Sequence, residues 1–380
     1  MKLLAVYLDA WPYRYLRLLV NAIEGIDNEF KNLRLIPVYG YTDCFKVTLL
    51  TGKYPNEHNY WISYKFTDEP KARPIPTTLS CILDREVLPV RTFRFILSKA
   101  ISIHMFHLKT WKYININKIN PETSFIDIDK YLRIRGMNTL FSFIESKNLS
   151  YITIEDHLYR HKLEKVIKLV IKKAKDLDVV FLYIDEPDFW GHRYGPDSPR
   201  YMDLLRWLSR LMKSLIKLAK IYRSSYIVFS DHGMTTVRKF IDVYNLVLKD
   251  DDYGKKYVIG IDATFLRIFN LEDKYRESNT LGKLRNILSE HATLLDEQKL
   301  EEYHLPKDRS YGDEIYALRE GIILYPNFFS WLKSHGMHAY DPKSESQHGI
   351  VLVSSDIQIK DDMITVPELH KLFTGVISKL

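Results

Sequence analysis

Short apolar runs alternate along this chain with stretches in which apolar residues recur every three or four positions. The runs are LLAVYLD (3–9), LRLIPVY (33–39), YITIE (151–155), DVVFLYID (178–185), SYIVFSD (225–231) and GIVLVSS (349–355). Such runs, rich in Val, Ile and Tyr, predict buried strands. Stretches of the second kind follow most of them: PYRYLRLLVNAIEG, DCFKVTLLTG, HLYRHKLEKVIKLVIKKAK and SPRYMDLLRWLSRLMKSLIKLAKIYR. That period predicts amphipathic helices. Strands alternating with helices predict an α/β fold with a mostly parallel central sheet, whose sites lie beyond the carboxyl ends of the strands.

Two regions break the pattern. Residues 64–135 open with the Pro-rich, polar KFTDEPKARPIPTT and continue into an apolar, aromatic and basic stretch. They read as an insertion over or beside the site. Residues 290–345 carry only short segments before a late histidine cluster.

Composition narrows the class. A hydrophobic fraction of 46% suits a globular chain. The two cysteines, Cys44 and Cys81, make no disulfide framework, which points to a reducing, cytoplasmic compartment. The opening MKLLAVYLDAW reads as a strand rather than a leader, and no run is long enough to span a membrane. The net charge of +7 suits an anionic substrate or surface, and equally plain solubility. Nucleic acid is not expected as a partner, because the lysines are dispersed along the chain. The basic, apolar stretch 90–110 offers a membrane-surface helix and a lipid-linked substrate, with a buried helix as the plainer alternative.

The chemistry sits where the strands end. Asp188 and His192 lie four residues apart after VVFLYI, on one face of a helical turn, which suits two ligands of one metal ion or a surface ion pair. Asp231 and His232 close another apolar run, where Gly233 lets the backbone turn. Asp9 ends the first strand and serves either as a ligand or as a helix cap. His335, His338 and His348 compete for one further place. Mixed Asp and His ligands suit zinc or manganese better than calcium. Thr42, at the start of a short helix, is either an N-cap or a hydroxyl nucleophile at a helix N-terminus that favours anions.

In this order the motifs resemble the alkaline phosphatase superfamily, and most of all its nucleotide pyrophosphatase/phosphodiesterase branch. Asp9 in LLAVYLDA matches the family's first metal-binding Asp, and TGKYPNEH (51–58) fits its segment after the nucleophile, Thr42. Glu186 to Pro196 matches EPDxxGHxxGP, Ser230 to Met234 matches SDHGM, and His338-Ala339-Tyr340-Asp341 matches its late histidine segment. The resemblance implies an alkaline-phosphatase-like three-layer fold over residues 1–380, as one catalytic domain with 64–135 inserted as a cap. It implies two divalent metal ions, zinc or else manganese. One would be held by Asp188, His192 and His338; the other by Asp9, Asp231 and His232, with Thr42 beside it.

The implied activity is hydrolysis of a phosphodiester or diphosphate through a phospho-threonine on Thr42. The substrate is a small phosphorylated molecule: a nucleotide, a nucleotide sugar or another phosphodiester. Several positions depart from the family's pattern. Ala10 replaces its usual glycine, Asp43 and Cys44 follow the nucleophile, and Ser63 stands where an oxyanion-stabilising Asn is usual. Lys46, one turn beyond Thr42, supplies positive charge to substrate or is a solvated lysine. A sulfatase is disfavoured, because threonine cannot become formylglycine. The alternatives are a phosphomonoesterase and a catalytically weak binder of a phosphorylated ligand.

Overall fold

The computed structural model describes residues 1–27, 29–67, 113–116, 123–155, 163–272, 278–329, 333–359 and 361–380. The chain divides into two compact units: 1–61, 119–236 and 335–380 form the first, 62–118 and 237–334 the second.

The first unit is built on a seven-stranded sheet. Across it the strands run in the order Met363–Thr365, Lys31–Ile36, Gly349–Val353, Ser225–Phe229, Leu3–Leu8, Val179–Ile184, Tyr151–Glu155. All six expected strands are present. The seventh, Met363–Thr365, is a three-residue edge strand too short to show a pattern. Pairing is parallel except that Gly349–Val353 runs antiparallel to both neighbours. Leu3–Leu8 and Val179–Ile184 are buried at every position, which explains their unbroken apolar runs.

The two faces of the sheet are packed differently. On one, Leu4, Val6 and Leu8 meet Leu16, Leu19 and Ile23 of the helix Leu16–Ile23 and Leu205, Leu208 and Met212 of the helix Pro199–Ile221. On the other, Tyr7 stacks on Phe229 at 5.1 Å and lies 5.3 Å from Phe45, while Phe373 meets Phe229 at 5.5 Å. Phe45 belongs to the helix Thr42–Thr51 and Phe373 to Val366–Ile377. Each such ring contributes about 1.5–3 kcal/mol by its burial, so this aromatic layer fixes the helix that carries Thr42.

The second unit holds a four-stranded antiparallel sheet: Tyr257–Ile261, Phe265–Asn270, Glu314–Leu318, Ala292–Leu294. The helix Asn279–His291 packs Leu281, Leu284 and Leu288 into its core. The short segments expected over 290–345 include two of these strands. Most of the expected insertion at 64–135, with the stretch 90–110, lies outside the described residues. Of its described parts, Tyr64–Phe66 pairs with Ile114–Ile116 in the second unit, and the helix Phe125–Ile134 belongs to the first.

Candidate active site

The first unit gathers Asp9, Thr42, Asp188, His192, Asp231, His232 and His338 at the carboxyl ends of its central strands. Asp9 directly follows Leu3–Leu8, and Asp231 and His232 lie just past Ser225–Phe229. Asp188 and His192 sit on the helix Glu186–Tyr194, after Val179–Ile184. Thr42 is the first residue of its helix, and the N-cap position belongs to Tyr41, which makes no side-chain cap. The Thr42 hydroxyl is therefore not spent on capping. It lies 3.2 Å from Nε2 of His232.

Two triads place ligating atoms close enough to share an ion: Asp9, Asp231 and His232, and Asp188, His232 and His338. His232 belongs to both, with Nε2 3.0 Å from Asp231 Oδ2 and 3.7 Å from Asp9 Oδ1. Asp188 Oδ1 lies 3.2 Å from His192 Nε2 and 3.6 Å from His338 Nε2. His192 thus touches the second group through Asp188. Of the three competing histidines, His338 is the one at the site, stacked on His232 at 3.7 Å. His335 is exposed, and His348 gives its Nε2 to the carbonyl of Pro342 at 3.0 Å.

Each inward group is held from behind. Asp9 Oδ2 accepts from the Tyr183 hydroxyl at 2.5 Å, and Asp231 Oδ1 accepts from the backbone N–H of Ala10 at 3.0 Å. His192 and His232 set Nδ1 against the carbonyls of Gly336 and Gly233, both at 2.8 Å, which leaves Nε2 facing the site. The remaining oxygens, Asp9 Oδ1, Asp188 Oδ1 and Asp231 Oδ2, are buried without a hydrogen bond. Anchored outer atoms and orphaned inner ones are the pattern of a metal centre, where outer partners orient the ligands. Three acidic groups and three imidazoles fit divalent cations.

The electrostatics agree. Burial holds the Asp9 carboxyl well above the usual carboxylate range, and Asp231 and Asp188 add repulsion. Burial, with His232 and His192 alongside, pushes His338 well below the usual histidine value, so its imidazole is neutral. Burial alone would lower His232, but Asp231 outweighs it and raises the imidazole. A cation bound among these groups would relieve the repulsion that crowds them.

Several sequence expectations change. Asp9 is no helix cap. Gly233 lies outside the left-handed region; its role is space, since a Cβ there would stand 2.1 Å from the carbonyl of Ser346. Lys46 is not solvated: it is wholly buried, 4.5 Å over the ring of Tyr183, and bonds the carbonyl of Thr123 at 3.3 Å. The Asp43 carboxylate accepts from the Cys44 N–H at 2.9 Å and the Tyr60 hydroxyl at 2.8 Å. Ser63 is buried in the second unit. The sequence reading missed Tyr183, and it marked Ala10 as a departure from glycine without its N–H contact to Asp231. The strand register, which aligns Tyr7 with Tyr183, is what brings Tyr183 to this face.

Residues 7–341 match the family described as type I phosphodiesterase / nucleotide pyrophosphatase. Human ectonucleotide pyrophosphatase/phosphodiesterase family member 7 is 46% identical over 69 residues, 17% of this chain and 15% of the relative. The venom phosphodiesterase CdcPDE of Crotalus durissus collilineatus is 24% identical over 206 residues, 51% of this chain and 24% of the relative. The chain thus matches less than two-thirds of the length of either relative. Murine ectonucleotide pyrophosphatase/phosphodiesterase 5 superposes over 100% of this chain and 95% of its own, with TM-score 0.65 and 18% identity. An inactive variant of that murine protein, in complex with AMP, superposes with TM-score 0.64, at 18% identity and over the same shares of both chains. The likeness extends the alkaline-phosphatase-like fold to the whole chain. By the match over residues 7–341, the chain belongs to the type I phosphodiesterase/nucleotide pyrophosphatase family.

Proposed function

We propose that this chain is a metal-dependent hydrolase of small phosphodiesters or diphosphates, with Thr42 as nucleophile. The observation that carries the reading is the Thr42 hydroxyl. It is uncommitted to capping, 3.2 Å from His232 Nε2, and set at a helix N-terminus beside carboxylate oxygens that accept no hydrogen bond.

Asp9, Asp231 and His232 would hold one divalent ion beside Thr42; Asp188, His192 and His338 would hold the second, with His232 bordering both. Bound there, the ions supply positive charge for the phosphate oxygens and make a hydroxyl easier to ionise. The mixed Asp and His donors favour zinc, with manganese as the alternative. Thr42 attacks phosphorus and forms a phospho-threonine as the leaving alcohol or phosphate departs; water then cleaves that ester and restores the hydroxyl. The N-terminus of the Thr42 helix would set the positive end of its dipole toward the phosphate oxygens. Asp43, held by Cys44 and Tyr60, is kept by those bonds from turning toward the phosphate. The AMP bound by the murine relative supports a nucleotide-like substrate here.

Thr42→Ala should reduce hydrolysis of a bis-aryl phosphodiester to background while metal content stays unchanged. Full activity in that variant rejects the nucleophile. Comparing kcat/KM on aryl mono- and diesters tests the phosphomonoesterase alternative.

A further inference from the structure

The helix Pro199–Ile221 covers the aliphatic face of the sheet, and its outer surface is basic but for Asp203. Arg206, Arg210, Lys213, Lys217 and Lys220 are all exposed and follow one another at alternating steps of four and three residues. That spacing sets them in one straight ridge, about 20 Å long at 1.5 Å per residue. The lysines that look dispersed in the sequence are gathered by the helix.

Acidic groups scarcely balance the ridge. Asp203 pairs with Arg206 at 2.7 Å, and the buried Asp27 takes Lys220 at 2.9 Å. Among the described residues no carboxylate lies within ion-pair reach of Arg210, Lys213 or Lys217. A second helix against the same core, Leu163–Lys173, adds exposed Lys165, Lys168, Lys172 and Lys173. The opposite face of the sheet differs. There Arg133 binds both Asp129 and Glu145, so charges cancel locally.

Apolar side chains stand within this basic surface. Trp207 is 38% exposed, Ile221 69% and Ile171 41%. Trp207 and Ile221 lie fourteen positions apart, beside the ridge on the same helix face. Between them Lys213, Ser214 and Lys217 line a hollow of about 540 Å³ with Gly25 and Ile26, large enough for a phosphate headgroup.

We propose that this face is a docking surface for an anionic lipid bilayer. A basic ridge draws the chain to a negatively charged leaflet, and an exposed Trp and Ile enter the headgroup layer. A nucleic acid would use the lysines but leave Trp207 and Ile221 without a role on a duplex backbone. The membrane-surface helix expected at 90–110 lies outside the described residues, and this surface is independent of it. It is also independent of the reading of Thr42.

The test is co-sedimentation of the whole chain with vesicles of phosphatidylcholine, alone or with one-third phosphatidylserine. The expected result is binding to the mixed vesicles only, weakened by salt and at least about tenfold lower in the R210E/K213E/K217E variant. Circular dichroism and hydrolysis of a soluble aryl diester check that this variant is folded. The milder K213Q/K217Q pair should show an intermediate loss, and Trp207→Ala should weaken the salt-resistant part. Equal binding to uncharged vesicles, no binding to either, undiminished binding by the charge-reversed variant, or tight binding to an oligonucleotide without vesicle binding would each overturn the proposal.

Discussion

Tyr183 donates its hydroxyl to Asp9 Oδ2 at 2.5 Å, which turns Oδ1 of the same carboxylate inward with no hydrogen bond. The phenol thus decides which oxygen of Asp9 is free to ligate. Tyr183→Phe keeps the ring that Lys46 and Tyr7 pack against but removes that hydrogen bond. Metal affinity should fall about 10- to 100-fold. Calorimetric titration of metal-free protein with zinc or manganese reads the change; an unchanged affinity would show that Tyr183 only packs.

Metal binding should also appear as stability. A cation held at a hundred times its dissociation constant adds about 2.7 kcal/mol. Asp231→Asn, which removes charge from the innermost carboxylate, should lose most of that gain. Thermal unfolding with and without chelator, on both proteins, measures it. Equal gains in the two would place the ion elsewhere.

Ala10 and Ala339 follow directly on Asp9 and His338, and both adopt left-handed backbone, with φ of 59° and 64°. Alanine is strained there and glycine is not. Ala10→Gly and Ala339→Gly should each stabilise the protein by about 1 kcal/mol. Denaturant midpoints check this; destabilisation by either would mean that the methyl group packs more favourably than the backbone strain costs.

His58 gives a pH signature away from the metal residues. The backbone N–H of Tyr60 donates to its Nδ1 at 3.1 Å, so the ring is the neutral Nε2–H form, donating to Thr48 Oγ1 at 3.1 Å. Burial, with Lys53 nearby, lowers its pKa to about 3. The unfolded chain takes up this proton near pH 6.5, so between about 6.5 and 3 unfolding binds a proton and stability falls as pH falls, by up to about 1.4 kcal/mol per pH unit. That contribution is fully present above 6.5. His58→Gln should flatten the slope in unfolding titrations between pH 6 and 4, and an unaltered slope rejects the assignment.

Lys46 separates a buried cation from a solvated one. Burial lowers its pKa against the pull of Asp9, Glu155, Asp231 and Asp43, and its removal leaves those acids uncompensated. Lys46→Met should cost about 3–5 kcal/mol, where a solvated lysine would cost within about 0.5 kcal/mol. Urea unfolding distinguishes the two.

The central sheet was readable because its strands are buried on both faces and so spell continuous apolar runs. Met363–Thr365 and the three-residue strands of the second unit carry too few residues to show any period. That Asp9, Asp188, His192, Asp231, His232 and His338 would come together was readable because each sits in a short ordered motif. What holds those ligands was not. The Ala10 N–H reaching Asp231, the Gly336 carbonyl behind His192 and the wholly buried Lys46 are contacts across long sequence separations, fixed by strand order rather than by any local pattern.

That strand order has a consequence for synthesis. Leu3–Leu8 lies between Val179–Ile184 and Ser225–Phe229, and Ser230 donates its N–H to the carbonyl of Ile350 at 2.9 Å. A chain emerging from the ribosome therefore holds Asp9 and Thr42 long before the strands that flank them exist. The loop bearing Asp231 and His232 meets the N–H groups of Ala10 and Trp11 first, and gains the carbonyl of Ile350 only near the end of synthesis. The cluster closes last, so a chain stalled before residue 338 would hold Asp9, Asp188 and Asp231 together without the imidazole of His338.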